Sequence, residues 1–218
     1  APPKGNQAIP FTQPAAQNFG ATPTLSASAT SGLTPTFSSS TTGVCTVSSG
    51  GAVTFVTSGS CPIDPDQAAK GAWNAANTVT RTFTVNAVAP GAPAIGTATA
   101  GDTQASITFS GPASSGGTTV TGYTVTANPG GATGTGASSP ITVTGLTNGV
   151  PYTFTVTATN SAALTGAASA VSNSVVPKGA QTITFANPGT QSFGTSPNLG
   201  LLGGGVTSTS GLAVSFSS

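Results

Sequence analysis

The sequence QAIPFTQPAAQNFGATPTL, residues 7–25, recurs in altered form as QTITFANPGTQSFGTSPNL, residues 181–199. Each copy follows a Pro-Lys-Gly tripeptide, Pro3-Lys4-Gly5 or Pro177-Lys178-Gly179, and the offset between the copies is 174 residues. A long, fixed period is the signature of a modular array. The period therefore predicts a tandem protein, and this chain is a window on it: about two sandwich domains of roughly 90 residues each, and the start of a further one.

Apolar residues alternate with Thr or Ser through most of the chain, and Gly and Pro interrupt the pattern at short intervals. A two-residue period predicts half-buried antiparallel strands, and frequent Gly and Pro are typical of short strands joined by turns. The predicted fold class is all-β, arranged as tandem β-sandwiches. In the first module we predict a strand with Ile9 and Phe11, a hairpin over 44–56, a non-strand excursion over 62–76 and a closing strand over 78–85.

Charge is almost absent from the chain. Charged residues make up 3% of it, against about 25% in an ordinary domain, and it has no His and no Glu. A net charge of +1 provides no field that would attract nucleic acid or anionic lipid, so neither is an expected partner. The many Ser and Thr hydroxyls lack an ordinary general base, and the Lys residues fall in linkers or a loop. We therefore expect no catalytic residue, no cofactor and no enzymatic activity.

The chain has two cysteines, Cys45 and Cys61. Without His, a zinc site would lack its other ligands, so a disulfide is the favoured interpretation and two thiols holding a metal the alternative. Closing a loop of this length stabilises a fold by about 3 kcal/mol in the chain-entropy model. A disulfide also indicates an oxidising compartment, hence an extracellular or cell-surface location. No apolar run approaches the roughly 18 residues of a membrane span.

Two features of the predicted excursion are candidate ligand contacts. Asp64 and Asp66 supply oxygens of the kind that calcium prefers, but calcium takes 6–8 of them, and Asp102 belongs to the other module. The preferred interpretation is structural, with Asp66 capping a turn and Asp64 pairing with Lys70. Trp73 is a weak candidate for a sugar-stacking platform, and packing on the sandwich is the favoured alternative. We expect no metal site.

The segment from Cys61 to Val85, CPIDPDQAAKGAWNAANTVTRTFTV, resembles an immunoglobulin-like repeat of large secreted bacterial proteins. The residues that match the repeat are Cys61, Ile63, Asp66, Gln67, Ala68, Asn74, Ala75 and Ala76. Departures are Ala69-Lys70 in place of Gly-Asn and Trp73 in place of Tyr. The resemblance implies an immunoglobulin-like fold for residues 1–88, with a short linker at 1–6, and an extracellular setting. It implies no chemistry.

Residues 89–178 resemble a fibronectin type III domain. The matching residues are Gly122-Tyr123-Thr124-Val125, Leu146, Gly149, Tyr152-Thr153-Phe154-Thr155-Val156 and Asn160. The resemblance implies that Tyr152 forms a tyrosine corner, its hydroxyl tied back to the backbone. Phe109 stands where many members have a core Trp, and the alternation predicts a closing strand over 171–176. Residues 179–218 restart the first module without completing it; the missing strands come from continuation of the chain or from a neighbouring chain.

The expected function is structural. Soluble β-proteins protect edge strands with charge or Pro, and here the edges would carry Thr, Ser, Ala and Gly. Two explanations remain open: the exposed hydroxyls carry O-linked glycan, or modules pack against copies of themselves. We expect a repeat unit of an extracellular bacterial polymer, that is, a filament, stalk or sheath. The alternative is an adhesin stalk, or a carbohydrate-associated accessory region of a secreted multidomain protein.

Overall fold

The computed structural model describes residues 2–184 and 207–208, which form strands, turns and irregular segments without a helix. None of these residues therefore belongs to a helix that could cross a membrane. In the first module the strands are β1 (Gln17–Asn18), β2 (Thr36–Ser38), β3 (Cys45–Val47), β4 (Val53–Phe55), β5 (Gly59–Asp66) and β6 (Arg81–Asn86). In the second they are β7 (Ala94–Ala100), β8 (Gln104–Ser110), β9 (Val120–Asn128), β10 (Thr133–Gly136), β11 (Ile141–Thr144) and β12 (Thr153–Asn160). A short pair follows, β13 (Ile183–Thr184) with β14 (Thr207–Ser208). The predicted all-β fold class is confirmed.

The first module combines a four-stranded sheet, in the order β1-β6-β5-β2, with a separate β3–β4 hairpin. β5 pairs antiparallel with both β6 and β2, whereas β1 runs parallel to β6. The hairpin lies where the sequence predicts it, and its turn closes through a hydrogen bond from the Gly51 N–H to the Ser48 carbonyl. The core of the module includes Ile9, Phe11, Phe37, Cys45, Val53, Phe55, Cys61, Ile63, Phe83 and Val85.

The predicted non-strand excursion over 62–76 is wrong in its first part, because β5 continues to Asp66. Pro62 and Pro65 each lack an N–H and so remove a potential ladder hydrogen bond, which makes a strand unexpected here. The structure tolerates both prolines because Cys61, Ile63 and Pro65 all turn the same face of the strand into the core, where they are buried. Burial of that face outweighs the missing donors.

The predicted first strand is also not formed as a regular strand. Ile9 and Phe11 are buried as the alternation requires, but no strand among the described residues pairs with the segment around them. Pro10 and Pro14 have no backbone N–H and so interrupt the row of donors that a regular strand would offer. A backbone hydrogen bond and two side chains hold it: the Thr30 N–H donates to the Ala8 carbonyl over 2.9 Å, Arg81 Nε donates to the Phe11 carbonyl over 3.2 Å, and the Gln13 amide donates to the Thr82 carbonyl.

The second module is a two-layer sandwich. One sheet has the order β10-β9-β12 and the other β11-β8-β7, and every pairing within them is antiparallel. The layers enclose a core of Ala98, Ala105, Ile107, Val125, Ala127, Ile141, Val143, Leu146, Tyr152, Phe154 and Val156. Along β12 every second residue is buried, as the alternation of apolar residues with Thr predicts.

The last segment of this module, residues 166–175, is not the regular strand predicted over 171–176. The N–H groups of residues 166, 169, 172 and 175 donate to the carbonyls of residues 158, 156, 154 and 152. The first three of these carbonyls belong to β12 and the last directly precedes it. The segment thus advances three residues for every two of its partner. Two strand residues span about 6.8 Å, whereas three would span about 10 Å, so the segment is wound more compactly than a strand.

Serine side chains complete this pairing. Ser169 Oγ accepts the Val156 N–H over 3.0 Å, and Ser172 Oγ accepts the Phe154 N–H over 3.0 Å. These hydroxyls take the place of the backbone carbonyls that an ordinary neighbouring strand would offer. Asn173 faces the other sheet, where its amide both accepts from and donates to the backbone of Ala98. The segment therefore joins the two layers of the sandwich.

Candidate functional site

The disulfide links the two parts of the first module. Cys45 begins β3 and Cys61 lies within β5, with their Cα atoms 5.8 Å apart and both side chains fully buried. The bond therefore ties the hairpin to the four-stranded sheet. With both thiols consumed, the alternative of a thiol-bound metal is wrong. Within residues 2–184 and 207–208 there is also no other cluster of metal-ligating side chains.

The two acidic residues of the first module are structural. Asp64 accepts a hydrogen bond from the Thr80 hydroxyl over 2.5 Å, so the predicted pairing with Lys70 is wrong. Asp66 is the last residue of β5, paired with Thr36, and not the cap of a turn. The reason for both errors is that β5 extends through both residues, where the sequence pattern predicts a non-strand segment.

Trp73 lies on the linker that precedes the first module. Its ring is so close to Gly5 that a Cβ added there would be 3.0 Å from it. The Gly5 N–H donates to the Ala72 carbonyl over 2.8 Å, and the Gly5 carbonyl accepts the Asn74 N–H over 2.9 Å. The indole is half-buried, with the linker covering part of its surface. A sugar would have to share the ring with this linker.

Tyr152 is buried at the end of the second sandwich. Its hydroxyl oxygen accepts the Thr147 N–H over 3.1 Å, and its own N–H and carbonyl both bond to Val175. The phenol thus reaches back five residues along the chain, which is the geometry of a tyrosine corner. The contact fixes the connection between β11 and β12 against the closing segment.

The two modules meet at a junction that sequence reasoning missed, formed by the linker 86–91 and the loop 114–119. The Val88 N–H donates to the Gly116 carbonyl over 2.9 Å, and the Gly91 N–H donates to the Ser114 carbonyl over 2.9 Å. On the other side, Asn160 Nδ2 donates to the Val88 carbonyl over 2.8 Å. Asn160 is only 1% exposed, so this amide holds the linker from within the second module.

The first module contacts the same loop directly. The Ser58 N–H donates to the Gly117 carbonyl over 2.7 Å. Phe19 packs against Gly117, where a Cβ would lie 2.6 Å from the ring. Gly116 and Gly117 both have positive φ, +80° and +87°, so this close approach requires glycine at both positions. The consecutive glycines at 116–117 were the one sequence signal that could have indicated it.

A cavity of about 320 Å³ lies beside the module junction. It is lined by Val56, Thr57, Ser58, Ser115, Gly117, Thr118 and Thr119. No charged side chain is among these residues, and none offers a base to a hydroxyl. The cavity therefore lacks the pairing of nucleophile and base that catalysis by a Ser or Thr requires.

Comparison with protein families matches residues 76–175 to the fibronectin type III domain. The match begins before β6, whose hydrogen bonds place it in the sheet of the first module. Comparison with curated proteins finds no match. The family match shows a fibronectin type III domain within residues 76–175, and the described residues of both modules are all-β.

Among solved structures, domains A168–A170 of titin are 15% identical, covering 79% of this chain and 66% of that one with a TM-score of 0.39. The titin kinase with its flanking domains is 23% identical, covering 42% of this chain at a TM-score of 0.37. The twitchin kinase region from C. elegans is 22% identical, covering 44% of this chain at a TM-score of 0.37. This chain spans only 18% of each of these two kinase-containing proteins.

Proposed function

We propose that this protein is a structural repeat unit of an extracellular or cell-surface bacterial polymer, and that it is not an enzyme. The observation that carries the proposal is the module junction. Backbone hydrogen bonds from Ser58, Val88 and Gly91 all end on the loop 114–119, so the linker is held along its length. A protein whose role is to hold a set distance between its ends needs this kind of connection between modules.

The chemistry of the chain supports the same proposal. The buried Cys45–Cys61 disulfide suits an oxidising, extracellular setting. The acids and bases of the chain are few, and the described residues include no group of three or more metal-ligating side chains. We take residues 1–88 to be an immunoglobulin-like repeat of the bacterial type described above.

The proposed partners are other copies of this chain. β2 is an edge strand, since it pairs with β5 on one side, and its exposed residues Thr36 and Ser38 carry hydroxyls and no charge. The Phe37 N–H is already bonded to the Ser49 carbonyl over 3.3 Å, so what this edge presents to a neighbouring chain is mainly its uncharged surface. The alternative is that O-linked glycan covers these hydroxyls, which would keep the edge from pairing.

Light scattering on unglycosylated protein tests the proposal. We expect concentration-dependent association of the wild-type chain and its loss in Thr36→Lys, because a lysine on an edge strand opposes pairing. Thr84→Lys is the matched control: it adds the same charge on an exposed position of β6, which has strands on both sides. A monodisperse, unglycosylated wild-type monomer at high concentration would refute the polymer. Equal association of both variants would refute the contact at β2.

A further inference from the structure

The Pro-Lys-Gly tripeptide occurs twice, and the two copies show different contacts. At the first copy the module that follows supplies the partners. Gly5 exchanges backbone hydrogen bonds with Ala72 and Asn74, and the Trp73 ring covers it. Asn74 Nδ2 also donates to the Lys4 carbonyl over 3.4 Å. The groups used at this copy are the Gly N–H, the Gly carbonyl and the Lys carbonyl.

At the second copy the module that precedes supplies the partners. The Pro177 carbonyl accepts the Gly149 N–H over 2.9 Å, and the Lys178 N–H donates to the Gly101 carbonyl over 3.2 Å. Gly179 lies against the side chain of Asn148, whose amide nitrogen would be 3.2 Å from an added Cβ. The groups used at this copy are the Pro carbonyl and the Lys N–H.

The two sets of backbone groups do not overlap, so one tripeptide is able to satisfy both modules at once. We propose that the end of the fibronectin type III module, at Gly101, Asn148 and Gly149, is a docking surface. Its partner is a further module of the first type, which arrives through its Trp73-bearing loop. The linker is then hydrogen-bonded from both sides. The junction that follows the fibronectin type III module is then as fixed as the junction that precedes it. This inference rests on the tandem array of the proposed function.

A cavity beside the second copy of the tripeptide is consistent with a module docking there. A cavity of about 450 Å³ is lined by Asn148, Gly149, Pro177, Lys178, Gly179, Ala180 and Gln181. Both Gly5 and Gly179 have a neighbour in the direction of their missing Cβ, the Trp73 ring in one case and Asn148 in the other. With both modules docked, the indole and the Asn148 amide would meet over the glycine. A side chain at this position would separate them.

The test uses residues 5–218 preceded by one further copy of residues 1–178, so that Lys178 of the upstream unit is followed by Gly5 of the downstream unit. Amide hydrogen exchange is measured at these two residues. We expect both amides in this internal linker to exchange at least about tenfold more slowly than in the free peptide, corresponding to an opening free energy of about 1.4 kcal/mol. Exchange of either amide at the free-peptide rate would overturn the proposal, without any substitution being needed.

Trp73→Ala provides a matched pair of variants, because the same change is made in either unit. In the downstream unit it should release the internal Gly5 amide and broaden the distribution of end-to-end distances measured by small-angle X-ray scattering. In the upstream unit, where Trp73 covers only the first linker, the distances should stay unchanged. Equal effects from the two positions would overturn the proposal. Light scattering on the same samples distinguishes the docking surface from the polymer. A monomer in which both amides are protected refutes the polymer but supports the docking surface.

Discussion

Replacing Ser169 with Ala tests the role of hydroxyls in closing the second sandwich. Ser169 Oγ accepts the Val156 N–H over 3.0 Å, and Val156 is completely buried in the centre of β12. Alanine removes the acceptor and leaves this N–H without a partner and away from water. An unsatisfied buried donor costs about 1–3 kcal/mol, and the loss of the hydroxyl's own bond to the Ala170 carbonyl adds little, because that bond is partly exposed.

The measurement is urea unfolding of the full chain, followed by fluorescence. Trp73 reports on the first module, whereas both tyrosines, Tyr123 and Tyr152, belong to the second, so the two transitions are separable. We expect the tyrosine transition to lose about 1–3 kcal/mol, or roughly 4–24 °C in the melting temperature, and the tryptophan transition to stay unchanged. Ser174→Ala, on the same segment but exposed, is the control and should stay within about 0.5 kcal/mol of wild type. Equal stabilities of the two variants would refute the reasoning.

Three further changes follow from the structure. Replacing both Cys45 and Cys61 with Ala should destabilise the first module by about 3 kcal/mol, measured by tryptophan fluorescence, and leave the second unaffected. Gly117→Ala should loosen the module junction, widening the distances measured by X-ray scattering, because its Cβ would overlap the Phe19 ring. Tyr152→Phe should cost the second module about 1–3 kcal/mol in urea, since a backbone amide loses its acceptor.

Each of these has a comparison that could contradict it. Reducing agent should reproduce the cysteine variant, and a first module equally stable with and without the bond would contradict the account. Gly130 also has positive φ, +89°, but open space around it, so Gly130→Ala should leave the scattering unchanged. Equal scattering from the two glycine variants would show that Phe19 is not the cause. For Tyr152→Phe, unchanged unfolding would mean that the Thr147 amide finds water instead.

Local patterns predicted the parts of the fold that depend on neighbours in sequence. The hairpin follows from two short alternating runs around a Gly-rich turn, and the disulfide from two cysteines without a histidine. The extent of β5 was not predictable in this way, because Pro62 and Pro65 argue against a strand. What keeps them in one is burial of Cys61 and Ile63 against residues distant in sequence.

The contacts that join elements were missed for a different reason. Ser and Thr are so frequent that nothing distinguishes Ser169 or Ser172 from exposed hydroxyls, although these two complete the pairing of β12. The junction at Gly117 depends on the approach of Phe19, nearly a hundred positions away along the chain. Hydrophobic period and secondary-structure propensity describe a residue's own segment. Neither indicates which distant group that residue will contact.

The position of the disulfide has a consequence for a chain under tension. Cys45 and Cys61 are 16 residues apart, but their Cα atoms are fixed 5.8 Å from each other. Fully stretched, that loop would span about 55 Å at roughly 3.4 Å per residue. An oxidised first module that yields to a pull therefore releases about 50 Å less contour length than a reduced one. In a long filament of such units, the redox state of the surroundings would set how far the fibre lengthens before it breaks.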